Sequence, residues 1–265
     1  MLRRSHPGLV VVCLVLLCLA ATSCSNPLQP ANDSDRTTTP AVGACRDLTA
    51  SDLNQQTNAS RVVSCSKPHT AVTFASGTLP PASGEAYADA RHDRFVFSTC
   101  QQAFADYIGA DESLALRVRL SWSWFRPSQR GWSSGARWYR CDLVGGPTGA
   151  SRLNDLPTDA HNLLATGDPD TWLACADGPT VAHGTKVPCT AEHTWRAVTT
   201  IKLGTPSDPY PGDDIVEART RSYCQESVRS WLHYPSDYEY GYTWFKQDRW
   251  DEGNRRSICW ARTSK

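Results

Sequence analysis

Net charge is what the 265-residue chain most plainly lacks: 27 basic side chains balance 27 acidic ones. Neutrality argues against a basic nucleic-acid-binding surface and against a polybasic membrane patch. No apolar run is long enough to span a bilayer, which takes about 20 residues. The run from Leu9 to Ala21 has 13. There is no H-E-x-x-H, no P-loop and no G-x-G-x-x-G. Nor is there a C-x2-C pair among the 11 cysteines, so the close ligand spacing of structural zinc sites is missing. The chain also lacks the low hydrophobicity and high net charge of a disordered protein: it is 40% hydrophobic and carries ten Trp and nine Tyr, enough for a packed core.

What is present begins with a targeting segment. Arg3 and Arg4 precede the apolar run, which has the length of a signal-peptide h-region. Ala21-Thr22-Ser23-Cys24 then resembles a bacterial lipobox, with Ala21 where leucine is usual. Ordinary cleavage after Ser23 is the alternative, because Ala21 and Ser23 also fit a small-x-small site. Cysteine parity favours lipid: Cys13 and Cys18 leave with the signal peptide, and lipidation of Cys24 leaves an even eight. Two or more acyl chains would anchor the protein stably to the membrane. Residues 1–24 are therefore expected to be a signal peptide with lipobox. Residues 25–42, polar and Pro-rich, are expected to be a disordered tether.

The eight remaining cysteines fall into two sets, Cys45, Cys65, Cys100, Cys141 and Cys175, Cys189, Cys224, Cys259, with a shared gap of 35 from the second to the third. The surrounding residues agree too. Cys65-Ser66-x-x-His69-Thr70 matches Cys189-Thr190-x-x-His193-Thr194, and Trp124-Phe125 matches Trp244-Phe245. Trp132-x-x-Gly135-x-Arg137-x-x-x-Cys141 matches Trp250-x-x-Gly253-x-Arg255-x-x-x-Cys259. So many matches in one order indicate a duplicated domain. The repeats are placed at 43–143 and 172–265, with a Gly/Pro-rich linker at 144–171.

Periodicity gives each repeat a coarse structure. Extended segments are expected at 61–64 and 69–74, and at 186–189 and 194–202. Helices are expected at about 85–108 and 213–233; Cys100, Phe104, Tyr107 and Ile108 form one helical stripe, and Asp213 and Asp214 suit a helix start. Leu114 to Trp124 and Tyr238 to Trp244 alternate as strands do. A turn at Gly135 or Gly253 leads to a last strand. Each repeat reads β-β-α-β-β, an α+β domain with a small antiparallel sheet and one main helix.

Four cysteines per repeat in an exported protein indicate two disulfides per repeat. Three pairings are possible in each, nine in all. The preferred set is Cys45–Cys65, Cys100–Cys141, Cys175–Cys189 and Cys224–Cys259. No catalytic residue, metal site or cofactor is assigned. Gly131-Trp132-Ser133-Ser134-Gly135 matches G-x-S-x-G but lies between strands, without the helix a hydrolase elbow needs. His69 and His193 are expected to brace turns, with binding as the alternative. Trp124, Trp132, Trp244 and Trp250, with Arg137 and Arg255, are candidates for packing or for a glycan-stacking face that would also include Trp122 and Trp138.

These motifs resemble the septum-formation domain of actinobacterial envelope proteins. That domain shows a Gly-x-Cys start, a Val-Pro-Cys-Ser-x-Pro-His core and a late Trp-x-x-Gly-x-Arg that ends in Cys. Gly43-Ala44-Cys45, Cys65 to His69 and Trp132 to Cys141 carry it here, and Val187-Pro188-Cys189 to His193 and Trp250 to Cys259 carry it again. The second copy departs from it, with Trp172-Leu173-Ala174 before Cys175 and Glu192 in place of Pro. The resemblance implies an exported or membrane-attached protein linked to septation and supplies no catalytic residues. The expectation is a non-enzymatic, lipid-anchored envelope protein, bound to an unidentified protein or cell-wall component and not to nucleic acid. An extracytoplasmic hydrolase and a glycan-binding module are the alternatives.

Overall fold

The computed structural model describes residues 33–263. The signal segment and Cys24 lie outside the described residues. Repeat 1 comprises β1 (Cys45–Arg46), β2 (Ala71–Thr78), α1 (Arg91–Ile108), α2 (Glu112–Ala115), β3 (Ser121–Phe125), α3 (Gln129–Ser133) and β4 (Trp138–Val144). After α4 (Leu163–Thr166), repeat 2 comprises β5 (Ala174–Asp177), β6 (Thr185–Pro188), β7 (Trp195–Lys202), α5 (Asp213–Trp231), β8 (Tyr240–Thr243), α6 (Gln247–Glu252) and β9 (Arg256–Arg262). The sheets are antiparallel, in the orders β1-β2-β4-β3 and β6-β5-β7-β9-β8. The chain is thus α+β, built of two disulfide-bonded repeats. The second has a strand more than expected: β6 lies at the extended segment expected at 186–189 and β5 is the addition, whereas in repeat 1 the segment expected at 61–64 makes a single bridge, from Val63 to Cys45.

Register confirms the duplication. Thr73 lies opposite Asp142, Ala75 opposite Cys141, and Phe74 is the bulged residue between. In repeat 2, Ala197 lies opposite Trp260, Thr199 opposite Cys259, and Val198 is the bulge. A bulge breaks the alternation of faces, and here it leaves both Phe74 and Val198 buried. Phe74 meets Phe104 and Tyr107 of α1 with ring centroids 5.9 Å away in each case. The core-facing residues of the helices recur every four positions, as the helical period requires: Val96, Cys100, Phe104 and Ile108 on α1, and Val216, Thr220, Cys224 and Val228 on α5.

Local chemistry corrects several expected boundaries. Helix α1 starts at Arg91, not near 85, because Ala88 is left-handed (φ 61°) and the Asp89 carboxylate accepts the Arg91 N–H at 2.9 Å. It ends where Gly109 turns left-handed (φ 76°). The expected strand from Leu114 is half absent. Asp111 caps α2 by accepting the Leu114 N–H at 2.6 Å, and regular strand begins only at Ser121. The bare turns expected before Gly135 and Gly253 contain the short helices α3 and α6. The G-x-S-x-G segment therefore runs through α3, with Ser133 exposed at its end.

Residues 33–42, read as part of a disordered tether, dock on repeat 1. The Trp138 Nε1–H donates to Arg36 O at 2.7 Å, Ser128 N–H to Ser34 O at 2.7 Å, and Ser76 Oγ–H to Pro40 O at 2.8 Å. Gly131 makes room for this strap, since a Cβ there would sit 2.9 Å from Ser34 O. Tertiary contacts order a segment whose composition alone would not.

The linker also packs rather than hangs free. Leu156, Ala160, Leu163 and Leu164 are buried against the core of repeat 1. The repeats touch directly as well. Gly253 (φ 120°) approaches α1 so closely that a Cβ would lie 2.6 Å from the Phe97 ring. Thr200 Oγ1–H donates to Ser113 Oγ at 2.8 Å, and Glu112 pairs with Arg256 at 2.7 Å and Lys202 at 3.3 Å.

Candidate interaction surface

The preferred disulfides are the ones present: Cys45–Cys65, Cys100–Cys141, Cys175–Cys189 and Cys224–Cys259. In each repeat one bond ties the main helix to the last strand, and the other ties the first strand to the turn that carries the histidine.

The Trp-x-x-Gly-x-Arg motif is an arginine clasp. Arg137 lies 3.9 Å from the Trp132 ring centroid and donates to Trp132 O at 2.9 Å and Ala136 O at 2.7 Å. Arg255 lies 3.7 Å over Trp250 and donates to Trp250 O, to Asn254 O at 3.2 Å, to Thr205 O at 3.3 Å and to Pro206 O at 3.3 Å. Burial pulls the Arg255 guanidinium below its ordinary pKa. A guanidinium that covers an aromatic face and holds the carbonyls of a turn is a packing device.

The histidines hold turns. Nδ1–H of His69 donates to Lys67 O at 2.8 Å, and Nδ1–H of His193 to Ala191 O at 2.7 Å. Both rings are buried. His69 Nε2 is buried without a hydrogen-bond partner among the described residues. A third histidine that sequence reasoning passed over, His92 on α1, is wholly buried and donates through Nε2–H to Gly84 O at 3.0 Å.

The tryptophans do not assemble into one exposed face. Trp132, Trp138 and Trp250 are buried, and Trp124 and Trp244 are half-buried. Cations stack on the last two: Arg126 lies 5.8 Å from Trp124 and Lys246 3.6 Å from Trp244. The exposed aromatics lie elsewhere, at Tyr223 and Trp231 on α5 and at Tyr234 beyond it. His233 and Tyr234 are consecutive left-handed residues (φ 65° and 59°), and they aim Tyr234 outward, 59% exposed.

Two open grooves flank this end of α5. One, approximately 320 Å³, is lined by Thr194, Asp237, Tyr238, Glu239, Arg262 and Thr263. The other, approximately 490 Å³, is lined by Val198 and Thr199 of β7, by Glu226, Ser230 and Trp231 of α5, and by Tyr234. No histidine or cysteine lines either groove. The spacing of the exposed aromatics along α5 was visible in the sequence, but nothing there marked them as uncovered. Among the described residues, no group of three or more His, Cys, Asp or Glu is placed to hold a metal, and no helix is long and apolar enough to cross a membrane.

Sequence reasoning also missed a buried ionic cluster behind the first sheet. Asp142 accepts from Arg140 Nε–H at 3.0 Å and from Thr73 Oγ1–H at 2.7 Å, and lies 3.9 Å from Arg46. Arg46 donates to Thr73 Oγ1 at 2.7 Å, and Arg140 donates to Asn58 Oδ1 at 3.0 Å. Burial lowers the Arg46 pKa, and Asp142 opposes that shift.

No curated protein and no solved structure shows significant similarity to the chain. The family model described as "Septum formation" matches twice, at residues 10–125 and 112–259. The two matches between them run through both repeats, with the cysteine pairs, histidine turns and most of the arginine clasps described above. The chain belongs to the septum-formation family, in two tandem copies.

Proposed function

We propose that this protein is a non-enzymatic, extracytoplasmic factor of the cell envelope, anchored by lipid on Cys24, that serves septum formation by binding a protein or cell-wall partner. The observation that carries this reading is the double match to the septum-formation family, on two repeats that each hold two disulfides. Disulfides of this density fit an oxidising compartment. The histidines and motif arginines that looked chemical in the sequence serve backbone carbonyls, and Ser133 sits exposed at the end of a short helix. The surface left over is aromatic and polar, which suits binding.

Fluorescent tagging of the full chain at its C-terminus tests this. The fusion should concentrate at division septa in the membrane fraction, and Cys24→Ala should release it from the membrane. A uniform distribution, with normal septa after depletion of the protein, would overturn the septal role. A membrane-bound Cys24→Ala variant would overturn the lipid anchor.

A further inference from the structure

One surface is covered in repeat 1 and open in repeat 2. In repeat 1 the chain leading into the second repeat pairs with the segment ahead of β3. Arg119 N–H donates to Trp172 O at 2.7 Å, Ala174 N–H donates to Arg117 O at 2.8 Å, and Val118 lies antiparallel to Leu173. The linker then covers the neighbouring ground. Leu156 N–H donates to His69 O and Asn162 N–H to Tyr107 O, both at 2.8 Å, and the His161 ring meets Tyr107 edge-on at 5.4 Å.

Counting from the matched cysteines and the paired strands places the same footprint on repeat 2. The strand register, which sets Trp124 opposite Cys141 and Tyr242 opposite Cys259, turns Arg117, Val118 and Arg119 into Pro235, Ser236 and Asp237; His69 becomes His193, and Tyr107 becomes Trp231. Here the footprint is open among the described residues. Ser236 and Asp237 are exposed where Val118 is buried and Arg119 half-buried, and Trp231 is 43% exposed. The grooves border this footprint, the first at Asp237 and the second at Trp231. The strand that continues from it, β8, is an edge strand.

We propose that this surface of repeat 2 takes an extended segment of a partner protein, added antiparallel along residues 235–237 with an apolar side chain set against Tyr238 and Trp231. The inference rests on the binding role proposed above and names the chemistry of the partner. The first repeat supplies the mode: backbone pairing at a sheet edge, with side chains filling the ground beside the helix end. Charge supplies the specificity. Repeat 1 presents Arg119 at the edge, whereas repeat 2 presents Asp237 there, with Glu239 two residues on. Glu239 is engaged by Arg262 at 2.5 Å, and Asp237 has no charged partner among the described residues. The segment that fits carries Lys or Arg beside its apolar residue.

A library of displayed 12-residue peptides, panned on the full-length mature chain, tests this. The expected result is an enriched family with an apolar or aromatic residue next to Lys or Arg. A fluorescent member should bind saturably, and Trp231→Ala and Tyr234→Ala should each weaken it by about tenfold or more. Both side chains are largely exposed, so circular dichroism and Tm should hold. A photo-crosslinker at the apolar position should label residues 235–238. The proposal is overturned if no family is enriched, if binding ignores both substitutions, or if the crosslink lands elsewhere. It is overturned equally if the surface binds only chitohexaose, or if sedimentation shows a dimer that buries Trp231. Septal localisation without peptide binding would sink this inference alone; peptide binding without septal localisation would sink only the septal role.

Discussion

Behind each sheet, on the face turned from its helix, the two repeats bury opposite kinds of side chain. Repeat 1 buries Arg46, Thr73, Arg140 and Asp142. At the matching positions repeat 2 places Ala176, Ala197, Ile258 and Trp260, in an apolar cluster with Val181 and Trp195. The registers are the same, so the backbone does not dictate the choice. What differs is the cover. The loop that carries Asn58 supplies an acceptor to Arg140, whereas the loop after β5 offers Val181 to the Trp195–Trp260 cluster. Buried ions need every partner in place, while apolar side chains need only volume.

The largest expected effect therefore comes from Asp142→Ala. It would leave two buried guanidiniums without their carboxylate and should cost about 3–5 kcal/mol in urea unfolding. The apolar triple Arg46→Met, Arg140→Leu, Asp142→Leu should lie within about 2 kcal/mol of the parent, since whole ionic clusters are often replaceable. If the triple is as unstable as the single variant, the two outer faces are not interchangeable.

The bonds from helix to last strand should show the repeats as equals. Cys100–Cys141 closes a separation of 41 residues and Cys224–Cys259 one of 35. Loop entropy depends weakly on length, so replacing either pair by alanines should cost about 2–4 kcal/mol, with the two costs within about 0.5 kcal/mol of each other. Thermal unfolding of the two variants measures this. A clear inequality would place the difference in native packing rather than in the unfolded chain.

The arginine clasps should differ in degree. Arg255 serves four carbonyls and Arg137 two. Arg255→Ala should lose about 2–3 kcal/mol and Arg137→Ala about 1–2 kcal/mol, because each lost charged donor strands an acceptor. Equal losses would assign the stabilisation to the stacked rings, which the two clasps share.

The sequence displayed the parts that local pattern controls. Cysteine spacing exposed the duplication, parity indicated two bonds per repeat while leaving nine pairings open, and period four marked α1 and α5. Strand alternation misled at Leu114–Leu120, where the single Asp111 cap diverts the chain into a helical turn. Arg140 and Asp142 alternate with apolar neighbours as solvent-facing residues do, so nothing local reveals that residues 46–58 bury them. The tether read as disordered for a similar reason: Ser34 and Arg36 are held by Ser128 and Trp138, about a hundred positions away. The exposed aromatic end of α5 was illegible because exposure depends on what fails to cover a side chain.

The smallest effect lies where the repeats meet. The Glu112 carboxylate accepts from Arg256 at 2.7 Å and from Lys202 at 3.3 Å, and the Arg256 hydrogen bond chiefly holds its pKa below the ordinary 4.5. The group is 38% exposed, so water and salt screen it, and the contribution should stay within about 1 kcal/mol. A lowered carboxylate pKa means that the unfolded chain takes up the proton first as pH falls. The stabilisation is then fully present above pH 4.5 and is lost as pH drops through the lower, folded value. Glu112→Gln should lower Tm slightly at pH 7 and not at all in strong acid, where the parent has already lost the charge. Salt should shrink the difference at pH 7. A Tm difference that persists unchanged into acid would mean that Glu112 joins the repeats by packing rather than by charge.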